Sequence, residues 1–172
     1  MGHRKVACPL VFDAKTYFTR KSCWVSDGNK NPSLEDFECP GVVSRESVRI
    51  AFAHAALNGL EVSIADITNA FFQAPSLEKH FITCSPEFRL ENAGKKATMW
   101  RALYGGKADS RNFRGHLRYF MSRLNFKYFL ANPDVWMRPA IKSDGNEHYE
   151  HFMFHVEDAL VASENDESIL RD

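Results

Sequence analysis

Cysteine is scarce and scattered. The four residues Cys8, Cys23, Cys39 and Cys84 contain no Cys-x-x-Cys pair, which excludes a zinc ribbon and a disulfide framework. Reduced thiols of an intracellular chain are the expectation. Neither sign of charge is in excess. Lys and Arg number 22 and Asp and Glu number 22 in 172 residues, which argues against a basic nucleic-acid coat protein and against an acidic disordered tail. No apolar run reaches the roughly 18 residues that a membrane-spanning helix needs. Residues Met1 to Val6 lack the apolar stretch of a signal peptide, and Val6 stands where a myristoylation signal wants Ser or Thr. A cytoplasmic or nuclear location without a membrane partner follows as an expectation. What remains is ordinary: 44% hydrophobic and 26% charged residues, enough for a core in one domain.

The neutral total hides segregation. Residues 1–30 carry a net charge of +4, residues 110–127 a net of +5 with no acid, and residues 157–172 a net of −5. Two basic segments and a separate acidic one suit a chain that holds a polyanion and also places carboxylates. They equally suit a mixed solvated surface.

Ser44 reads as the N-cap of a helix running to about Leu57, with an apolar stripe of Val48, Ala51, Phe52 and Ala55 and Gly59 as its stop. Leu60, Val62 and Ile64 then alternate with Glu61 and Ser63, as in a strand with one buried face. Asp66 continues that apolar row. A carboxylate there is costly unless it ends the sheet, is paired, or holds a cation. A second helix is expected from Ser110 to Phe126, buried through Phe113, Leu117, Phe120, Met121 and Leu124. Arg111, Arg114 and Arg118 lie on another of its faces at i, i+3, i+7. Ser143-Asp144-Gly145-Asn146 is a turn signal. After it, Phe152, Phe154 and Val156 alternate with Met153 and His155 up to Glu157-Asp158, and Ala159 to Ala162 follow. The two acids are placed for a tight hairpin whose tip lies beside the Asp66 strand. Three adjacent carboxylates require a counter-cation to stay ionised together, and hard oxygen ligands suit Mg²⁺ or Mn²⁺. His148, His151 and His155 do not make a zinc set. His151 and His155 share a strand face about 13 Å apart, and His148 has the opposite parity. Trp24, Trp100 and Trp136 are expected in the core or an interface.

These residues, in this order, resemble the reverse transcriptase of copia-type long-terminal-repeat retrotransposons. The likeness rests on a basic extended segment, then Asp66-Ile67-Thr68-Asn69-Ala70-Phe71. Arg101-Ala102-Leu103-Tyr104-Gly105-Gly106-Lys107 comes next, then Asn132-Pro133-Asp134-Val135-Trp136, and an aromatic strand running into an acidic pair. It covers the chain from about Leu10 to Asn165. The resemblance implies an α+β right-hand polymerase fold. A fingers-like segment would span 1–43. A palm-like core would span 44–172, interleaved with fingers around 75–107, as one partial domain with an antiparallel palm sheet packed on helices. It implies RNA-directed DNA polymerase activity on an RNA or DNA template-primer with dNTPs. Two Mg²⁺ or Mn²⁺ ions would sit on Asp66, Glu157 and Asp158. Phe71, Lys21, Tyr104, Gly105 and Lys107 would serve the nucleotide, and His155 would lie beside the primer end of the nucleic acid. Apart from the resemblance, the acid-free row of Arg111, Arg114 and Arg118 is expected to meet nucleic-acid phosphates.

Three departures bear on activity. The family's Tyr-Val-Asp-Asp is here His155-Val156-Glu157-Asp158, and Glu carries its carboxylate one methylene further out where catalytic geometry tolerates about half an ångström. The Arg of the family's Lys-Ala-Arg-x-Val is here Cys23, which supplies neither fixed charge nor a bidentate donor. The family's Gly-Leu-Lys is Gly105-Gly106-Lys107. The chain also stops at Asp172, before a thumb or ribonuclease H region. A degenerate polymerase of low or no activity is the expectation, with a non-catalytic nucleic-acid-binding pseudo-polymerase or an inert transposon remnant as the alternative.

Overall fold

The computed structural model of the chain describes residues 3–14, 17–27, 42–106 and 108–165. In chain order its elements are β1 (Arg4–Lys5), β2 (Leu10–Ala14), β3 (Arg20–Trp24), α1 (Arg45–Asn58), β4 (Glu61–Asp66), α2 (Ala70–Gln73), β5 (His80–Thr83), β6 (Lys96–Thr98), α3 (Asp109–Arg123), β7 (Lys127–Phe129), β8 (Asn132–Ile141), β9 (Glu147–His155) and β10 (Asp158–Ser163). The fold is α+β. Two units divide it: Met1–Glu38 with Asn69–His116, and Cys39–Thr68 with Leu117–Asp172. Among the described residues, no helix is long and apolar enough to cross a membrane.

In the second unit, helix α1 begins where the sequence predicts. The Ser44 hydroxyl accepts the Ser47 N–H at 3.1 Å, an N-cap worth about 1 kcal/mol. Gly59 ends the helix at φ 59°, a left-handed conformation that costs glycine nothing. The Lys142 ammonium donates to the Asn58 carbonyl at the same end, where the helix dipole favours a cation.

Five antiparallel strands run in the order β4-β10-β9-β8-β7. Directly opposed residues of such strands share a face, so the register fixes what each face buries. One face sets Leu160, Met153 and Val135 against Ala51 of α1, with Ala162 and Leu60 against Ala55. The other sets Trp136, Phe152, Phe154, Ala159 and Val161 against Met121 and Leu117 of α3, with Phe126 beneath. On that second face Arg138 of β8 lies opposite Glu150 of β9, and their side chains meet at 2.6 Å. The remaining Glu150 oxygen accepts from Ser163 at 2.6 Å, and Arg138 also donates to the Leu124 carbonyl at 3.0 Å. Both oxygens of the buried Glu150 are thus engaged, and Arg138 is half-buried.

In the first unit β1 pairs parallel with β5, β5 pairs antiparallel with β6, and β2 with β3 forms a separate hairpin. Trp24 stacks on Phe88 at 4.0 Å, and Phe71 packs against Tyr104 at 4.5 Å and Phe113 at 5.3 Å.

Several expectations require correction. The second helix covers Asp109–Arg123 rather than 110–126, because Asn125 turns to φ 63° and sends the Phe126 N–H back to the Met121 carbonyl. That turn is what inserts Phe126 into the core. Phe52 and Phe120 are about half exposed, since the apolar stripes of both helices are narrower than the sequence pattern suggests. Trp136 is core and Trp24 is half-buried, but Trp100 lies in solvent. The buried face of β4 fades along its length, and Ile64 is 74% exposed.

A pair the sequence concealed joins α1 to the sheet. The His54 Nδ1 and His151 Nε2 atoms are 3.1 Å apart, one imidazole donating to the other. Burial, then the neighbouring His54 and His148, hold the His151 pKa down to about 4. A base whose folded pKa lies below its unfolded value of about 6.5 adds stability above that value and loses it as pH falls toward 4. Acid titration of the unfolding midpoint should therefore show a loss between pH 6.5 and 4 worth up to about 3 kcal/mol. In His151→Gln, which bonds but does not titrate there, that part of the slope should vanish.

Candidate active site

The end of β4 and the β9–β10 hairpin form the candidate site, entirely within the second unit. Asp66 stands directly opposite Asp158, and Asp158 directly opposite His155. These three side chains thus belong to one row across three strands, and all three are exposed. Asp66 therefore takes one of the acceptable places for a carboxylate on an apolar row, the sheet's end. The hairpin is one residue out of phase with the expectation. Its turn consists of Val156 and Glu157, and Asp158 is the first residue of β10. Val156 sits at φ 58°, a left-handed conformation that opposes a β-branched side chain. The Ile67 N–H donates to the Glu157 carbonyl at 3.0 Å and pins the turn to the end of β4. On the other side of β9, Val42 bridges to His155 and the Val43 N–H donates to the Phe154 carbonyl at 3.4 Å.

None of Asp66, Glu157 and Asp158 is in a salt bridge among the described residues. Two exposed carboxylates on facing positions are hard oxygen donors, the ligand class that Mg²⁺ and Mn²⁺ take. Among the described residues, no group of three or more His, Cys, Asp or Glu side chains is disposed to hold a metal ion. The tip thus offers a facing Asp pair, with Glu157 at the turn beside it, rather than a closed cage.

The residues expected to serve a nucleotide belong to the first unit. Phe71 is only 4% exposed and lies beneath half-buried Tyr104, so its ring is part of that unit's core. Gly105 has φ 84°, and a Cβ there would overlap the Ser26 carbonyl, because the Ser26 N–H donates to the Tyr104 carbonyl at 2.7 Å. Lys21 is exposed on β3 opposite Asp13. Lys107 lies outside the described residues. Of the arginine row, Arg111 is exposed while Arg114 and Arg118 are half-buried, and the Arg118 guanidinium lies 5.6 Å from the Tyr128 ring centre. The row is therefore less of a solvated face than its spacing suggests.

Sequence reasoning missed Asp109. It opens α3 at 7% exposure beside the glycine loop, and a Cβ at Gly106 would overlap its carboxylate. The consecutive glycines just upstream were the available signal, since they leave room that an adjacent side chain fills. Burial raises the Asp109 pKa to about 6, against a lowering hydrogen bond from the Leu103 backbone and with a smaller upward push from Glu78.

Comparison with protein-family models, with curated proteins and with solved structures gives no match to this chain.

An acid whose folded pKa lies above its unfolded value opposes folding as pH rises between the two. Asp109→Asn should accordingly raise the melting temperature at pH 7.5, by the equivalent of up to about 3 kcal/mol, and leave it nearly unchanged at pH 4. Thermal unfolding followed at both pH values checks this.

Proposed function

We propose that this chain is a degenerate fingers–palm module of a copia-type reverse transcriptase, with the second unit as its palm-like part. The observation that carries the reading is the facing pair. Asp66 and Asp158 come from distant stretches of chain, meet in register at one end of an antiparallel sheet, and have the Glu157 turn fastened beside them. A structural turn has no need of two carboxylates on facing positions, which repel one another.

In this reading Asp66 and Asp158 present carboxylate oxygens to divalent cations, and Glu157 adds a longer and less exact third. The cations, when bound, supply charge neutralisation at the α-phosphate and activation of a primer 3′-hydroxyl. His155 closes the row on the primer side. By the resemblance alone, Lys21 and Lys107 would be assigned to triphosphate charge and Tyr104 with Gly105 to the nucleotide, all four being residues of the first unit. Cys23 leaves that triphosphate without the bidentate guanidinium that would hold it. Template-primer would be held through backbone phosphates by Arg111, Arg114 and Arg118.

Primer extension on an RNA template with Mg²⁺ and then Mn²⁺ tests the reading, in a fusion that adds a thumb from an active relative of the family. The natural chain should extend weakly or not at all, and Glu157→Asp should be faster by about 10²-fold, the usual consequence of correcting a displacement near 1 Å. Asp66→Asn in the Glu157→Asp background should abolish extension. Absence of extension by every version, with the fold intact by circular dichroism, would overturn polymerase chemistry and put the nucleic-acid-binding pseudo-polymerase and the inert remnant ahead of it.

A further inference from the structure

We propose that the C-terminal end of α3 and the edge strand β7 form a stacking platform for single-stranded nucleic acid, separate from the Asp66–Asp158 site. The inference rests on the proposed function only in taking a nucleic acid as the partner. Residues 110–127 contain five cations and no acid. In the second unit that charge is organised around rings. The Arg118 guanidinium lies over Tyr128 at 5.6 Å, and the Arg123 guanidinium lies 5.7 Å from Tyr119 while donating to its hydroxyl at 2.9 Å. Tyr119 meets Phe120 edge-on at 5.3 Å, and Tyr128 meets the buried Trp136 edge-on at 5.6 Å. Even so, Tyr119, Tyr128 and Phe129 are each about half exposed.

Beside them opens a cleft of about 800 Å³, lined by Ser122, Asn125, Phe126, Lys127, Arg138 and Pro139. Arg138 is occupied by Glu150 and the Leu124 carbonyl. Lys127 forms no salt bridge among the described residues and is the cation that the cleft offers.

Flat rings beside fixed guanidinium groups suit one chemistry above others. Every base has a face that stacks on an aromatic ring, whatever its sequence, and every nucleotide carries a phosphate for a neighbouring cation. A guanidinium carries five N–H donors, so Arg123, which spends one on the Tyr119 hydroxyl, keeps others for a phosphate oxygen. A duplex has its bases already stacked and would gain only the charge contacts. Among the described residues, strand β7 borders the sheet and pairs only with β8, which leaves an edge along which an extended ligand can lie.

Fluorescence anisotropy with a labelled twelve-residue oligo-dT and with a duplex of the same length, each over a salt series, tests the platform. Tyr119→Ala combined with Tyr128→Leu, which retains bulk against Trp136, should weaken oligo-dT binding by at least about tenfold and leave duplex binding unchanged. Tyr119→Ala alone, at an exposed position, should give part of that loss without any change in melting temperature. Arg123→Gln with Lys127→Gln should lower the slope of log affinity against log salt by about one to two. Binding is read without divalent cation or dNTPs, so a chain that fails to polymerise still reports on the platform. Undiminished oligo-dT binding by both tyrosine variants, an equal loss on duplex, or tighter association with phosphatidylserine vesicles than with oligo-dT would overturn the proposal.

Discussion

The pairing of β4 with β10 is the constraint on which the second unit depends. It brings together strands separated by 91 residues, Asp66 to Asp158, so its closure entropy is offset only once the sheet is assembled. Its register is equally demanding. A slip of one residue would send Leu160 and Ala162 toward α3 and turn Ala159 and Val161 toward α1, exchanging two differently shaped cores. With the register set, Asp66 and Asp158 are obliged to face each other. The carboxylate pair is a consequence of how the two cores are filled.

Charge is handled in opposite ways at the two ends of this sheet. Around Arg138 and Glu150 the ionic groups are buried, and hydrogen bonds from Ser163 and to Leu124 complete them. Breaking such a pair by removing one partner leaves a stranded charge, which makes the arrangement conservative. At the β9–β10 turn the carboxylates are open to solvent and uncompensated, held by backbone bonds alone. A site that must admit and release ions and substrates needs the second arrangement, and a scaffold needs the first.

Local signals were legible in the sequence. Ser44 and Gly59 marked both ends of α1 because cap chemistry is decided by a few neighbouring atoms, and Ser143 to Asn146 marked the β8–β9 turn for the same reason. The Asp66 strand and the acidic hairpin were legible as elements, and so was their neighbourhood. The exact phase of the hairpin was not. It depends on Val156 accepting a left-handed backbone, which no propensity favours and which the Ile67–Glu157 bond helps to hold. His54 and His151 escaped notice because their contact is made by packing a helix on a sheet, across 97 positions of sequence. Asp109 escaped because a buried acid beside two glycines looks, in one dimension, like an ordinary helix start.

The fit of Gly106 to Asp109 also orders the substitutions open to this chain. While the carboxylate fills the space beside residue 106, a larger side chain there meets it at once. The isosteric exchange Asp109→Asn keeps that space filled, so it relieves the buried charge without opening room beside residue 106. A side chain at 106 is accommodated only after position 109 has become smaller, so the two changes have an order.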